Sequence, residues 1–100
     1  MSKYSNIVRF SVKSDFEKEF LTIMNNGPTF KGQESSFLVR TNDREFGNIE
    51  FIAVGIWSSE ESLANARHDM VNFLDTFRHM LVEMPQTGIT DPRSGPIVVE

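Results

Sequence analysis

The sequence contains no cysteine among its 100 residues, which excludes disulfides, thiolate nucleophiles and cysteine-ligated zinc or iron–sulfur centres. It also lacks an apolar run of membrane-spanning length, and residues 1–10 contain no continuous apolar stretch of the kind found in a secretory signal. We therefore expect a cytoplasmic protein that does not bind a membrane.

Positive charge is sparse as well. The 14 acidic side chains outnumber the 10 basic ones, which are scattered along the chain, so nucleic acid is not an expected partner. No set of His, Asp and Glu has a ligand spacing that an exposed helix would not explain, and we expect neither a metal nor a cofactor. At this length, residues 1–100 are expected to form a single domain.

The most informative segment of the sequence is 49–57, because it predicts a strand whose two faces are both apolar. An antiparallel sheet in a small protein usually has one solvated face, so this strand needs a second cover beyond its own helices. We assign the aliphatic set to the helix side and expect a second copy of the chain to cover the other set, with a cavity beside its tryptophan. The aliphatic set is Ile52, Val54 and Ile56, and the other set is Ile49, Phe51, Ala53, Gly55 and Trp57.

The predicted elements follow the order strand, helix, strand, strand, helix, strand. This order is typical of the ferredoxin-like α+β fold (βαββαβ), in which two helices cover one face of a four-stranded antiparallel sheet. The predicted strands are Tyr4–Lys13, Phe37–Thr41, Ile49–Trp57 and Ile97–Val99, the predicted helices are Phe16–Met24 and Leu63–Met84, and residues 42–48 are expected to form a hairpin connection.

Possible capping boxes precede both predicted helices, Ser14 with Glu17 and Ser58 with Glu61. Pro85 marks the expected exit of the second helix.

Two polar features have a structural interpretation. Arg9 and Arg40 could bind an acidic substrate group, but cross-strand pairing with Glu50 is the favoured interpretation. The segment Asp91–Pro96 is expected either to form an ordinary turn before the last strand or to close over a pocket or a partner subunit.

Several segments together resemble a known family. They are Val12–Lys13 at the end of the first strand, Phe16–Met24, Phe37–Arg40 and above all Gly55–Ser62, and the resemblance covers nearly the whole chain. They are similar to the antibiotic biosynthesis monooxygenase-like branch of the dimeric α+β barrel proteins. The resemblance implies a homodimer with a pocket between sheet and helices in each subunit. Members of the family include cofactor-independent oxygenases acting on aromatic polyketides or quinols, and haem-degrading enzymes.

The resemblance also suggests roles for individual residues. Trp57 matches the family's tryptophan at the end of the third strand, where it could form an aromatic wall for a planar substrate. His68 and Arg78 are candidates for the base or donor that favours a phenolate, so these three residues are the catalytic candidates. The expected pocket-lining residues are Asn6, Phe51, Ala53, Gly55, Phe73 and Phe77.

Three functional hypotheses follow. The first is a cofactor-independent monooxygenase acting on a small aromatic molecule or quinol. The second is a non-catalytic, small-molecule-binding or stress-associated dimer, favoured because Ala53 and Gly55 stand where oxygenases of the family carry an asparagine. The third is haem binding or breakdown, for which His68 and His79 are expected on the second helix, although the position of the family's ligand falls nearer Thr76.

Overall fold

The computed structural model describes residues 3–100, whose four strands form one antiparallel sheet in the order β2–β3–β1–β4. Two helices cover one face of this sheet, as expected for the ferredoxin-like α+β fold. The elements are β1 (Tyr4–Val12), α1 (Glu17–Asn25), β2 (Gln33–Glu45), β3 (Asn48–Trp57), α2 (Glu60–Asp75) and β4 (Asp91–Pro96), with single 3-10 turns at Ser14–Phe16 and Arg78–Met80.

The assignment of the two faces of β3 from the sequence is wrong. Phe51 is buried against Phe20 of α1, and Trp57 is buried against Leu63 of α2. The set that contains Phe51 and Trp57 therefore faces the helices, on what we call the helix face. The aliphatic set lies on the opposite, open face of the sheet. Burying the large aromatic rings removes more apolar area from water than burying the aliphatic set would, which explains the orientation.

Apolar side chains remain partly exposed on this open face. Ile7, Phe37 and Val39 retain 42%, 55% and 43% of their accessible surface, and they lie beside Ile52 and Val54 in the strand register. The chain alone therefore leaves a contiguous apolar surface in water, which the two-sided character of β3 predicts.

The second helix ends earlier than its periodicity predicts. It ends at Asp75, and the predicted span to Met84 is wrong, although Phe77, Met80 and Met84 are buried. These side chains reach the core from the 3-10 turn and the irregular segment that follows. His79 consequently lies outside α2.

Helix capping also differs from the prediction. Ser59 caps α2, and its Oγ accepts a hydrogen bond of 3.1 Å from the backbone N–H of Ser62. The N-cap is thus Ser59, and the predicted capping box of Ser58 with Glu61 does not form. The predicted box at Ser14 does not form, because α1 begins only at Glu17 and no side chain caps it.

The last strand is Asp91–Pro96, so its interpretation as a turn is wrong, and so is a strand at Ile97–Val99, whereas its closing over a pocket or a partner subunit stays a prediction. It pairs with β1 at the edge of the sheet, where Pro92 and Pro96 need no ladder partner on their outer side. Val98 and Val99 are exposed.

The second strand is much longer than predicted and is joined to β3 by a two-residue hairpin. Phe46 and Gly47 form its turn with φ values of 53° and 81°. Two positive φ values are typical of a type I′ turn, which suits Asn–Gly far better than a bulky aromatic residue. Phe46 is 95% exposed at this tip.

An ionic network crosses the open face beside the apolar residues. Arg9 contacts Glu50 at 3.3 Å and Asp91 at 3.2 Å, which confirms its predicted cross-strand pairing. Partial burial lowers the pKa of Arg9, but the hydrogen bonds and charges of Asp91 and Glu50 outweigh this and raise the pKa above its usual value. Arg40 lies on the helix face and pairs with Glu17, so its expected pairing with Glu50 is wrong.

Within residues 3–100, neither helix is long and apolar enough to span a membrane.

Candidate functional site

The candidate site is built around a hydrogen bond between β1 and β3. Trp57 Nε1 donates to Asn6 Oδ1 at 2.7 Å. An indole nitrogen can only donate, so the oxygen of the Asn6 amide must face Trp57 and its NH₂ group must point elsewhere. Both side chains lie on the helix face, since Asn6 is opposite Gly55 in the strand register and Gly55 and Trp57 are two residues apart on β3.

Gly55 makes this arrangement possible because it leaves room for three polar atoms. A Cβ atom built on Gly55 would lie 2.9 Å from Trp57 Nε1, 2.8 Å from Gln33 Nε2 and closer still to Asn6 Oδ1. Real Cβ atoms do not approach other heavy atoms so closely. The indole and two primary amides therefore converge on one point above a glycine, and we call Asn6, Gln33 and Trp57 the amide cluster.

The amide cluster has unused hydrogen-bonding capacity. Within residues 3–100, the Asn6–Trp57 bond is the one hydrogen bond that these three side chains make, so Asn6 Nδ2 and the Gln33 amide are unpaired. In the same part of the chain, no fully buried side-chain nitrogen or oxygen lacks a partner. The unpaired amide atoms must therefore contact space that solvent reaches, where a ligand atom could replace water.

Apolar side chains surround the indole on the helix side. Leu63 and Ala66 of α2 are buried against it, and Phe30 packs at a ring-centroid distance of 6.2 Å with the planes tilted by 33°. Tyr4 also packs there and turns its hydroxyl outward to Glu60. The indole is thus enclosed by apolar side chains on the helix side, while the polar atoms of Asn6 and Gln33 lie near its nitrogen, and neither depression described below includes these three residues.

Two surface depressions flank the sheet. One of about 330 Å³ lies between α2 and the α1–β2 connection and includes Lys31, Asn65 and Ala66. It borders the apolar surroundings of Trp57, because Ala66 belongs to both. The other, of about 340 Å³, lies on the open face near the β2–β3 hairpin and includes Arg9 and Glu50.

The three catalytic candidates are not brought together by hydrogen bonds. Trp57 is fully buried in the cluster, whereas His68 is exposed on α2. Arg78 lies in the 3-10 turn after α2, where it pairs with Asp75 at 2.8 Å. Catalytic roles for Trp57, His68 and Arg78 stay predictions.

The expected pocket-lining residues form two groups, four of them on the helix face of the sheet and Phe73 and Phe77 packed toward it from α2 and the segment that follows. Asn6 and Gly55 belong to the amide cluster, while Phe51 and Phe77 are buried farther along the sheet among the phenylalanines that surround Phe20. Ala53 and Phe73 are partly buried against this second group. Lining of a pocket by these residues stays a prediction.

Sequence reasoning missed Gln33. The predicted second strand begins only at Phe37, whereas Gln33 begins β2 and lies opposite Trp57, with a register shift between Gln33 and Ser35. No local pattern marks this irregularity, so the sequence alone contained little signal for it. Asn6, across the sheet on β1, is the asparagine that pairs with the Trp57 indole.

No protein-family model matches the chain, and no curated protein matches it significantly. Solved structures do match. A variant of SnoaB, a cofactor-independent oxygenase from Streptomyces nogalater, is 14% identical with a TM-score of 0.70, over 100% of this chain and 97% of that one. A candidate antibiotic biosynthesis monooxygenase from Bordetella bronchiseptica is 10% identical with a TM-score of 0.74, over 99% and 100%.

A third similar structure is described as a dimeric ferredoxin-like protein of unknown function from Thermobifida fusca. It is 14% identical with a TM-score of 0.69, over 96% of this chain and 92% of that one. The resemblance expected from the sequence is thereby confirmed at the level of structure. At such identities the similarity establishes the fold, and the activities of these proteins are not thereby carried over.

Proposed function

We propose that the protein is a cofactor-independent oxygenase of a small, electron-rich hydroxyaromatic molecule or quinol. The observation that carries this proposal is the amide cluster, in which the Asn6–Trp57 bond leaves amide donors unpaired beside the buried indole and the partly buried ring of Phe30. Similarity of the fold to a cofactor-independent oxygenase adds support.

The chemistry needs little from the protein because substrate and dioxygen supply all the electrons. In an anthrone, loss of one proton from the CH₂ group gives an enolate, whose carbanion carbon transfers electron density to dioxygen, and a carbon–oxygen bond forms. The O–O bond then breaks. One oxygen atom remains as a carbonyl, and the other leaves as water with the two hydrogens of that carbon. The amide donors would stabilise the negative charge on the substrate oxygen, and the surrounding apolar side chains would exclude water.

Oxygen uptake tests this proposal directly. With 1,8-dihydroxyanthrone as the probe, we expect enzyme-dependent consumption of one dioxygen for each anthraquinone formed, above the rate of spontaneous oxidation. Uptake equal to the protein-free rate would overturn the proposal and favour the non-catalytic binding hypothesis.

We also propose that two copies pair through the open face. Ile7, Phe37 and Val39 are too exposed there for an isolated chain, and a second sheet packed about 10 Å away would cover them. The similar structure from Thermobifida fusca is described as dimeric.

Sedimentation velocity of Val39→Asp tests the pairing, with Val71→Asp as the matched control. Both valines are about half exposed, but Val39 lies on the open face and Val71 on α2. We expect the first variant alone to become monomeric. A dimeric Val39→Asp variant, or a wild-type monomer, would contradict the proposed interface.

A further inference from the structure

The indole of the amide cluster has no exposed surface in this structure, because Trp57 is 0% exposed. A neighbouring side chain must therefore move before a planar molecule can stack on it. On the basis of the proposed oxygenase site, we infer that Phe30 is a movable cover of this indole. A planar aromatic ligand enters from the depression beside α2 and takes the place of the Phe30 ring.

Phe30 differs from the other apolar neighbours of the indole in the backbone that carries it. The others belong to a helix or a strand, whose hydrogen bonds fix their backbones: Leu63, Ala66 and Met70 on α2, and Tyr4 on β1. Phe30 lies instead in the α1–β2 connection, residues 26–32, which has no regular structure. Of these neighbours, Phe30 is therefore the one that can move without disturbing a helix or the sheet.

The α1–β2 connection is fixed at both of its ends. At the first end, a Cβ atom on Gly27 would lie 2.9 Å from the ring of Phe73, so only a glycine packs this closely there. At the other end, Gly32 has a φ of 88°, and its carbonyl accepts a hydrogen bond of 2.9 Å from the backbone N–H of Ser58. The connection can thus open and return to the same position.

Between these ends the connection is held loosely. Within residues 3–100, the sole hydrogen bond of residues 28–31 is the one that the Phe30 carbonyl accepts from the backbone N–H of Gln33 at 3.1 Å. Segments with so few hydrogen bonds open at low free energy. Because this bond joins Phe30 to Gln33, opening of the connection also displaces one member of the amide cluster.

The Phe30 ring makes a contact that a ligand can replace. It lies 6.2 Å from the indole between centroids, is tilted by 33°, and is only partly buried. Moving a partly buried ring exposes less apolar area than moving a fully buried side chain such as Leu63. A planar aromatic molecule stacked on the indole would restore the aromatic contact.

The depression of about 330 Å³ gives the direction of entry. Its lining includes Lys31, which follows Phe30 in the chain, and Ala66, which packs in the apolar cluster around Trp57. Movement of the connection away from α2 would therefore join this depression to the indole.

Acrylamide quenching of fluorescence tests the cover without any substrate, because Trp57 is the sole tryptophan. We expect weak quenching in the wild type and a severalfold larger quenching constant in Phe30→Ala. Phe30→Leu keeps an apolar side chain that supports folding, and it should give a smaller increase. Met70→Ala is the matched control, since Met70 is also partly buried in this cluster but projects from α2. Unchanged quenching in both Phe30 variants, or an equal increase in Met70→Ala, would overturn the inference.

Stopped-flow binding tests the movement itself. The probe is 1,8-dihydroxyanthraquinone, the product of anthrone oxidation, whose arrival quenches Trp57. We expect the wild-type rate to level off at high probe concentration, where opening becomes limiting. Phe30→Ala should bind at least about tenfold faster, since a minor open state is populated to about 10% or less. Equal rates in the two proteins, or no binding to either, would overturn entry past Phe30.

The cover and the oxygenase function fail separately. Quenching and binding that depend on Phe30, without uptake of oxygen by the anthrone, would leave the cover intact and remove the oxygenase function. Oxygen uptake with quenching that Phe30→Ala does not change would leave the oxygenase function intact and remove the cover.

Discussion

Trp57 donates its indole hydrogen to Asn6 across the β1–β3 ladder at 2.7 Å, and this bond joins the two strands on the helix face. Because Trp57 is fully buried and Asn6 is the one described partner of its N–H group, removing Asn6 would deprive a buried donor of its hydrogen bond. The bond therefore both stabilises the fold and fixes the direction of the Asn6 amide.

A double-mutant cycle measures this bond. Asn6→Leu should lower the free energy of unfolding by about 1–3 kcal/mol, because it leaves a buried donor unpaired. In the Trp57→Phe background, which lacks the donor, the same substitution should cost about 1 kcal/mol less. Urea unfolding of the wild type, the two single variants and the double variant gives the coupling free energy between Asn6 and Trp57. Additive effects would show that the bond contributes nothing.

Gly55→Ala should disrupt the amide cluster. The added methyl group would lie within 3 Å of both Gln33 Nε2 and Trp57 Nε1, so we expect a loss of about 1–3 kcal/mol in the free energy of unfolding. Gly95→Ala is the matched control, because nothing lies within 4 Å of its added methyl group. Equal effects of the two substitutions in urea would contradict close convergence at Gly55.

Phe46→Asn should stabilise the protein. Asparagine tolerates positive φ in a type I′ turn better than phenylalanine, so a gain of about 1 kcal/mol, or roughly 4–8 °C in Tm, is expected. Phe46→Ala also removes the exposed ring but keeps an unfavourable residue at positive φ, and it should gain less. A lower Tm for Phe46→Asn in calorimetry would show that the Phe46 ring makes stabilising contacts that outweigh the backbone strain at this position.

Ser59→Ala should cost about 1 kcal/mol of stability through loss of the α2 cap, whereas Ser58→Ala should cost less. The two variants distinguish the observed cap from the one the sequence predicts. Thermal unfolding compares the two variants, and a larger loss of stability for Ser58→Ala would identify Ser58 as the N-cap of α2, as the sequence predicts.

The fold could be predicted because hydrophobic periodicity and turn residues mark most elements. The side on which β3 meets the helices could not, since both of its faces are apolar and only packing against Phe20 and Leu63 decides between them. The end of α2 was obscured because Phe77 and Met80 continue the helical spacing while they reach the core from a 3-10 turn.

The site was only partly predictable for a related reason. Trp57 and Gly55 were recognisable on one strand, and Asn6 was expected nearby. Their contact depends on the register between β1 and β3, and the position of Gln33 depends on an irregularity in β2. Such non-local pairing leaves no periodic signal in the sequence.

The most direct test of the amide cluster as a binding site is an NMR titration of the indole N–H resonance with 4-nitrophenol at a pH where the dye is ionised. Trp57 is the sole tryptophan, so its single indole signal needs no further assignment. We predict a saturable shift of this signal that Gln33→Leu weakens. If 4-nitrophenol shifts backbone signals elsewhere and leaves the indole signal unmoved, binding at the amide cluster is contradicted.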